Sequence, residues 1–269
     1  MGIFTWYGYP LPFRERVRLI REAGFGTVMH WWDDSYVEVL ESSKEAQADV
    51  IRAEGLFIEN AHLSAERAND LWLDTVDGHA ALDGYLADID GLAACGIPVA
   101  VMHPNSGTRP PPVTAIGLDR VRALVDRAEA RGVRIAMENV RDTRSLVAVL
   151  DAVYSPALGL CYDSGHDLIW SEAPYALLNR YGDRLFAVHL HDNPGERDDH
   201  LPPGAGKVDW RVVREGIEHS AYGGSYTVEG DSAVIPPGRT PQEHLRLHYE
   251  GVTRQMLQAE PNTDTKKNG

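Results

Sequence analysis

The chain has 269 residues, of which 40 are Asp or Glu and 26 are Lys or Arg, so its formal net charge is −14. A chain of this length can bury a large hydrophobic core, and its 43% hydrophobic content excludes a disordered or fibrous protein. The acidic balance argues against non-specific binding to nucleic acid or to anionic membranes.

Cysteine content and hydropathy predict the compartment. The two cysteines, Cys95 and Cys161, are too few for a disulfide framework, which fits a reducing cytosol. The N-terminal residues lack the basic-then-apolar order of a signal peptide, and no apolar run approaches the roughly 18 residues of a membrane span. We therefore expect a cytoplasmic protein with no membrane contact.

Short apolar runs recur eight times along the chain, each about five to seven residues long. Their Val, Ile, Leu, Ala and aromatic content is typical of strands that are buried on both faces. In chain order the predicted strands are Gly2–Trp6, Thr27–Trp31, Leu56–His62, Val99–His103, Val133–Glu138, Leu158–Asp163, Leu185–His191 and Ser225–Glu229.

Amphipathic segments follow these runs and predict one helix after each strand. Several end in a glycine, the expected residue just past a helix: Gly24, Gly55, Gly96 and Gly132. In chain order the predicted helices are Phe13–Ala23, Ser43–Glu54, His79–Ala94, Ile116–Arg131, Ser145–Val153, Tyr175–Tyr181, Trp210–His219 and Pro241–Leu257.

Eight strand–helix units in this length predict an α/β fold, a single (βα)8 TIM barrel. An open doubly wound sheet is the alternative, but no glycine-rich dinucleotide turn follows the first strand. We expect one catalytic domain over residues 1–258. The polar segment 259–269 is expected to be a disordered tail.

Histidines and acids cluster at the ends of the predicted strands, where TIM barrels carry their active sites. A single such residue is often a cap or a loop ion pair, but six consecutive strands each deliver one. Imidazole nitrogen mixed with carboxylate oxygen suits a divalent metal ion, which would also neutralise converging acids. The strand-end residues are His62, His103, Glu138, Asp163, His189 and Glu229, and neighbouring loop or strand positions add His166, His191, Asp198 and His200.

Five motifs identify a family resemblance that extends from Phe4 to about Leu257. The chain resembles the xylose isomerase-like TIM-barrel superfamily, which includes sugar isomerases and epimerases, inosose dehydratases and endonuclease IV. The motifs are ENV at Glu138, YDSGH at 162–166, HLHDN at 189–193, DDHLPPGAGKVDW at 198–210 and VEGD at 228–231.

The resemblance implies a metal centre. By analogy with the epimerase-like members, Glu138, Asp163, His189 and Glu229 would hold one cation. The endonuclease IV-like pattern implies additional ligands, and all have a matching residue here: His62, His103, His166, Asp198 and His200. We therefore expect one to three ions of Mn, Zn, Co or Mg. One departure is GAG at 204–206, where an acidic GEG is frequent, and it leaves a substrate contact in doubt.

The leading functional prediction is a metal-dependent sugar isomerase or epimerase that abstracts a proton next to a carbonyl and forms an ene-diolate. The two glutamates would move protons on opposite faces of a small carbohydrate. The predicted catalytic residues are Glu138, Glu229 and His166, and the predicted substrate-binding residues are Lys207, Trp6 and His191.

Three alternatives stay open. A lyase or dehydratase acting on a keto-sugar or inosose would use the same base and metal but expel a leaving group. An endonuclease IV-like phosphodiesterase would use several metals, although the chain lacks a Lys/Arg-rich run that could follow a nucleic acid backbone. A sugar-binding protein would need fewer ligands. Homo-oligomers are common among such barrels and are also expected.

Overall fold

The computed structural model describes residues 1–34, 42–231 and 234–258. Eight parallel strands form one sheet in the order β7-β6-β5-β4-β3-β2-β1-β8. The strands are β1 (Gly2–Phe4), β2 (Thr27–Trp32), β3 (Phe57–Leu63), β4 (Val99–Met102), β5 (Arg134–Glu138), β6 (Leu158–Asp163), β7 (Leu185–His189) and β8 (Thr227–Val228).

The two terminal strands of this order meet and close the sheet into a barrel. Leu190, just after β7, forms a parallel bridge with Val228 of β8. The amide of Leu190 donates to Thr227 O at 2.9 Å, and the amide of Glu229 donates to Leu190 O at 3.3 Å. Together with the parallel order, this closure confirms the predicted single (βα)8 TIM barrel.

Nine helices surround the barrel in the described part of the chain. The helices are α1 (Phe13–Glu22), α2 (Lys44–Ala53), α3 (Val76–Ala94), α4 (Ala115–Arg131), α5 (Thr143–Ala152), α6 (Ser164–Trp170), α7 (Ala176–Tyr181), α8 (Trp210–Glu218) and α9 (Pro241–Leu257). Helix α6 was not predicted, because seven residues are too few to show a helical period. It begins directly after β6, where the carboxylate of Asp163 accepts from the amide of His166 at 2.7 Å.

Small side chains fill the inside of the barrel below the predicted site. Val101, Ala136, Cys161 and Ala187 form a buried cluster there. Successive side chains of a strand alternate between its faces, so the residues two positions further on also point inward. Those residues are His103, Glu138, Asp163 and His189. The strand period thus directs four predicted ligands into the mouth of the barrel at its carboxyl end.

Among the helices of the described residues, none combines the length and apolar character that a membrane span requires. The predicted tail, 259–269, lies outside the described residues, and the domain limit at residue 258 stays a prediction.

A buried carboxylate, Asp88, joins the second strand, helices α2 and α3 and the loop after β3. Asp88 on α3 accepts from Trp32 Nε1 of β2 at 3.2 Å and from Lys44 Nζ of α2 at 2.7 Å. Its second oxygen accepts from Arg67 Nη2 at 2.7 Å. One acid therefore satisfies donors from a strand, a helix and a loop.

Replacement of Asp88 by Ala should lower the free energy of unfolding by about 1–3 kcal/mol, because the buried Trp32 N–H loses its acceptor and two partly exposed cations lose an ion pair. Urea denaturation measures this change. The control is Asp119→Ala: the Asp119 side chain is 75% exposed and pairs with Arg122, so its loss should change stability by about 0.5 kcal/mol or less. Equal losses for the two variants would contradict the prediction.

Candidate metal centre

Glu138 lies at the middle of the site, in contact with four imidazoles. Its Oε2 is 3.2 Å from His62 Nε2, 3.3 Å from His103 Nε2 and 3.3 Å from His189 Nδ1. Its Oε1 is 3.2 Å from His166 Nδ1. Burial disfavours the ionised carboxylate, but the surrounding imidazoles outweigh it and hold the pKa of Glu138 well below its usual range.

The four residues of the implied metal quartet converge. One possible ligand atom from each of Glu138, Asp163, His189 and Glu229 lies within 4.8 Å of the others, and all four residues are buried. His189 Nδ1 is also 3.2 Å from Glu229 Oε2. Three buried carboxylates this close repel one another unless positive charge lies among them.

Two features of the quartet suit a divalent cation: the types of its ligand atoms, and buried polar atoms that have no hydrogen-bond partner. Both ring nitrogens of His189 and Glu229 Oε2 are buried, and within residues 1–34, 42–231 and 234–258 none of the three makes a hydrogen bond. The contacts between His189 and the glutamates have ion-pair distances but not hydrogen-bond geometry. Buried donors and acceptors without partners are rare in folded proteins, and coordination of a metal ion would satisfy these.

Two of the further groups of possible ligands bring in residues that were predicted as additional ligands. The first is His62 and His103, which share Glu138 with the quartet. The second group contains His166, His191, Asp198 and His200.

Asp198 connects the second group. Its Oδ2 is 3.0 Å from His166 Nε2 and 3.3 Å from His200 Nε2. His200 has φ +46°, a left-handed conformation that is uncommon outside glycine and occurs at functional sites. The loop is therefore held in an unfavourable backbone conformation at one of the predicted ligands.

Imidazoles and carboxylates favour each other's charged forms in this site. Burial disfavours the protonated form of the imidazoles, but nearby carboxylates outweigh it and raise the pKa of His166, His189 and His200 well above the ordinary value. Burial likewise opposes ionisation of Asp198 and Glu229, yet the same imidazoles keep the pKa of both acids low. A divalent cation that binds here therefore displaces protons.

His191, a predicted substrate-binding residue, is also a member of the second ligand group. It is fully buried, its Nε2 is 3.0 Å from Asp163 Oδ1, and its ring stacks on His200 with centroids 4.0 Å apart. A Cβ at Gly165 would lie 2.0 Å from the His191 ring, so only glycine in the YDSGH motif leaves room for it. These contacts favour orientation of Asp163 over direct substrate contact.

The other predicted substrate residues lie on different sides of the mouth. The Trp6 and Trp31 ring centroids are 5.7 Å apart, and Phe4 links this pair to the metal centre, at 6.2 Å from Trp31 and 6.0 Å from His62. Lys207 is exposed, and its amide donates to Asn193 O at 2.9 Å. The aromatic side of the mouth is thus next to the centre, while the role of Lys207 stays a prediction.

Asp192 organises the loop that carries Asp198 and His200, and sequence reasoning did not select it. It is fully buried. Its Oδ1 accepts from the amides of Asn193 at 2.9 Å and Val208 at 3.0 Å, and its Oδ2 accepts from the amide of Gly204 at 2.9 Å and Trp210 Nε1 at 2.8 Å. The only signal for this role was its place directly after His191 in HLHDN.

Two more unselected residues hold ligands in place. Asn139 forms a pair of 2.8 Å hydrogen bonds with the backbone of Asp163, donating to its carbonyl and accepting from its amide. Asp231 Oδ1 lies 2.6 Å from His200 Nδ1. Asn139 and Asp231 belong to the ENV and VEGD motifs, but the residues that they contact are distant in sequence, so the motifs do not reveal these contacts.

Comparison with known proteins places the chain in a family. The model of the family described as "Xylose isomerase-like TIM barrel" matches residues 17–250. The chain therefore belongs to the xylose isomerase-like TIM-barrel family, as its motifs predicted.

Two relatives in sequence have different degrees of coverage. The uncharacterized protein y4fM of Sinorhizobium fredii is 30% identical over 251 residues, which cover 81% of this chain and 80% of that protein. An inosose dehydratase of Lacticaseibacillus casei is 29% identical over 139 residues, covering 44% of this chain and 46% of the dehydratase.

Solved structures confirm the fold. The crystal structure of the IOLI protein with a bound zinc atom superposes with a TM-score of 0.77 at 17% identity, covering 95% of this chain and 98% of that one. A D-allulose 3-epimerase from Methylomonas sp., in complex with D-allulose, gives a TM-score of 0.75 at 20% identity and covers 94% and 96% of the two chains.

The variant Asp192→Asn tests the anchoring of the loop. The asparagine would replace one carboxylate oxygen with an NH₂ group, which cannot accept the N–H donors that face it, and it would remove the negative charge. Because these charged hydrogen bonds are lost, the loop should open at least about tenfold more often. Trypsin cleavage after Arg197 or Lys207, followed by mass spectrometry, measures opening. The control is Asp209→Asn, since Asp209 caps α8 and Asn caps a helix equally well. If both variants resist trypsin like the wild type, Asp192 does not anchor the loop.

Proposed function

We propose that the protein is a divalent-metal-dependent enzyme that removes a proton from the carbon next to a carbonyl of a carbohydrate, as sugar isomerases and epimerases do. One observation carries this proposal: the carboxylates of Glu138 and Glu229 both lie within 3.3 Å of His189 Nδ1, inside a cluster of metal-ligand type. Two glutamates beside one ligand provide a base and an acid for the same substrate carbon.

Glu138, Asp163, His189 and Glu229 would hold the cation. When bound, a divalent cation there would polarise the substrate carbonyl and acidify the neighbouring C–H. We assign proton removal to Glu229, since 9% of its side chain is exposed against 1% of Glu138. The step breaks the C–H bond, transfers the proton to the carboxylate and leaves an ene-diolate.

Return of the proton decides the product. Delivery to the same carbon from the opposite face gives an epimer, and we assign it to Glu138, the other glutamate beside His189. Delivery to the neighbouring carbon gives an isomer. His166, with its ring 3.2 Å from Glu138 and 3.0 Å from Asp198, would donate to a substrate oxygen.

The family members support this class of reaction. One structural neighbour is a D-allulose 3-epimerase in complex with D-allulose, and another is the IOLI protein with a zinc atom. The inosose dehydratase relative supports the lyase alternative, which begins with the same proton removal and then expels a β-leaving group. A small carbohydrate is the proposed substrate in either case.

Deuterium exchange tests proton removal directly. Ketoses and inososes are incubated with the metal-loaded protein in D₂O, and NMR should show exchange at the carbon next to the carbonyl. Glu229→Gln should slow exchange about a hundredfold or more, because it removes the base while keeping a ligand oxygen.

The matched control is Glu59→Gln. Glu59 is a partly buried glutamate of the same barrel, but it lies away from the ligand cluster. Its carboxylate accepts from the amide of Ser225, just before β8, and from Oγ1 of Thr227, the first residue of β8. This variant should retain most of the exchange rate. Undiminished exchange in Glu229→Gln would show that Glu229 is not the base. The absence of exchange with all of these carbonyl compounds would contradict the proposed reaction.

Metal removal is the second test. A chelator should abolish exchange, and Mn²⁺, Co²⁺ or Zn²⁺ should restore it. Elemental analysis should find fewer metal equivalents in Glu138→Gln, because this carboxylate belongs both to the quartet and to the group with His62 and His103. If the protein binds more than one ion, His62→Ala should lower the count without emptying the quartet. Chelator-insensitive exchange would refute a metal-dependent mechanism.

A second candidate function is a multi-metal phosphodiesterase, favoured by the two further groups of possible ligands. Two or three metal ions within a few ångströms activate water for attack on a phosphodiester. Hydrolysis of bis(p-nitrophenyl) phosphate together with two or three metal equivalents would support this function. About one equivalent and no hydrolysis would favour the isomerase or epimerase.

A further inference from the structure

A cavity of about 600 Å³ lies between α5 and α7, next to the metal centre. Val147, Ala148 and Leu177 provide apolar walls. Arg141 and Trp170 also line the cavity, as do two acids, Asp142, which pairs with Arg144, and Glu172. Arg141 follows Glu138 by three residues, and Trp170 is the last residue of α6.

Trp170 lines this cavity and also contacts the ligand cluster. Its ring centroid is 4.8 Å from that of His166, which in turn lies 3.2 Å from Glu138. The guanidinium carbon of Arg141 lies 4.8 Å from the centroid of the Trp170 ring. The cavity therefore shares a wall with the candidate active site, and a cation is held on that wall.

Arg141 differs from the other arginines around the cavity. Arg144 pairs with Asp142 at 3.2 Å, and Arg180 pairs with Asp151. Arg141 makes no ion pair or hydrogen bond with any residue that the structure describes. Contact with an aromatic ring uses the face of a guanidinium, so its N–H donors at the edge can bind a phosphate or carboxylate in the bidentate manner.

We propose that this cavity binds the distal anionic group, a phosphate or a carboxylate, of a carbohydrate whose carbonyl lies at the metal centre. Arg141 is then the specificity-determining residue, since it supplies local positive charge in a chain of net charge −14. The inference rests on the proposed function for the position of the carbonyl, but the anion site itself needs only Arg141, Trp170 and the cavity.

The test is calorimetric binding of polyols to the metal-loaded full-length chain. Glucitol 6-phosphate, gluconate and glucitol have no ketone or aldehyde group, so their binding does not depend on turnover. At least one anionic polyol should bind about tenfold more tightly than glucitol, the effect of a hydrogen-bonded charged pair, and Arg141→Gln should remove that difference. Arg141→Lys should restore part of it, because it restores the charge but not the two-donor edge.

Arg134→Gln is the matched control. Arg134 also lies over an aromatic ring, Phe186, at 4.6 Å, but it begins β5 at the opposite end of the barrel. This variant should bind all three polyols like the wild type.

Tighter binding of glucitol 6-phosphate would identify the anionic group as a phosphate, and tighter binding of gluconate would identify it as a carboxylate. Equal affinity for charged and neutral polyols, or an unchanged preference in Arg141→Gln, would overturn the inference. Arg141-dependent binding without deuterium exchange would instead refute only the proposed reaction, so the two failures are distinguishable.

Discussion

The structure depends on the mutual neutralisation of carboxylates and imidazoles buried at one end of the barrel. Taking a carboxylate out of water is costly unless opposite charge and hydrogen bonds replace the solvent. Glu138 meets this condition with four imidazoles. Barrel closure through Leu190 and Val228 completes the ring of strands, so residues distant in sequence become neighbours.

The barrel and most of its ligands could be predicted from sequence because both follow from local periodicity. Apolar strand residues at 136, 161 and 187 predict inward-facing positions at 138, 163 and 189 by simple alternation. Parallel strands in a barrel all present their carboxyl ends at one rim, so no tertiary detail was needed to place Glu138, Asp163 and His189 together. The family motifs added the loop ligands that alternation alone does not reach.

Loop geometry and long-range contacts could not be predicted in this way. The four hydrogen bonds of Asp192 require a specific path of residues 201–210, which no period encodes. The contact of Arg141 with Trp170 depends on α6, a helix too short to detect in the sequence. His191 was assigned to substrate contact from its motif, whereas its burial between Asp163 and His200 depends on the absence of a side chain at Gly165.

The position of Glu138 in two ligand groups has a consequence for how the site fills. A carboxylate that serves two groups cannot be oriented or charged for one without altering the other. Ions bound both in the quartet and in the group with His62 and His103 would therefore be thermodynamically linked, and by reciprocity each ion would change the affinity for its neighbour by the same factor. If ions bind in both groups, metal titration should follow a cooperative curve, positive or negative, in place of a sum of independent sites.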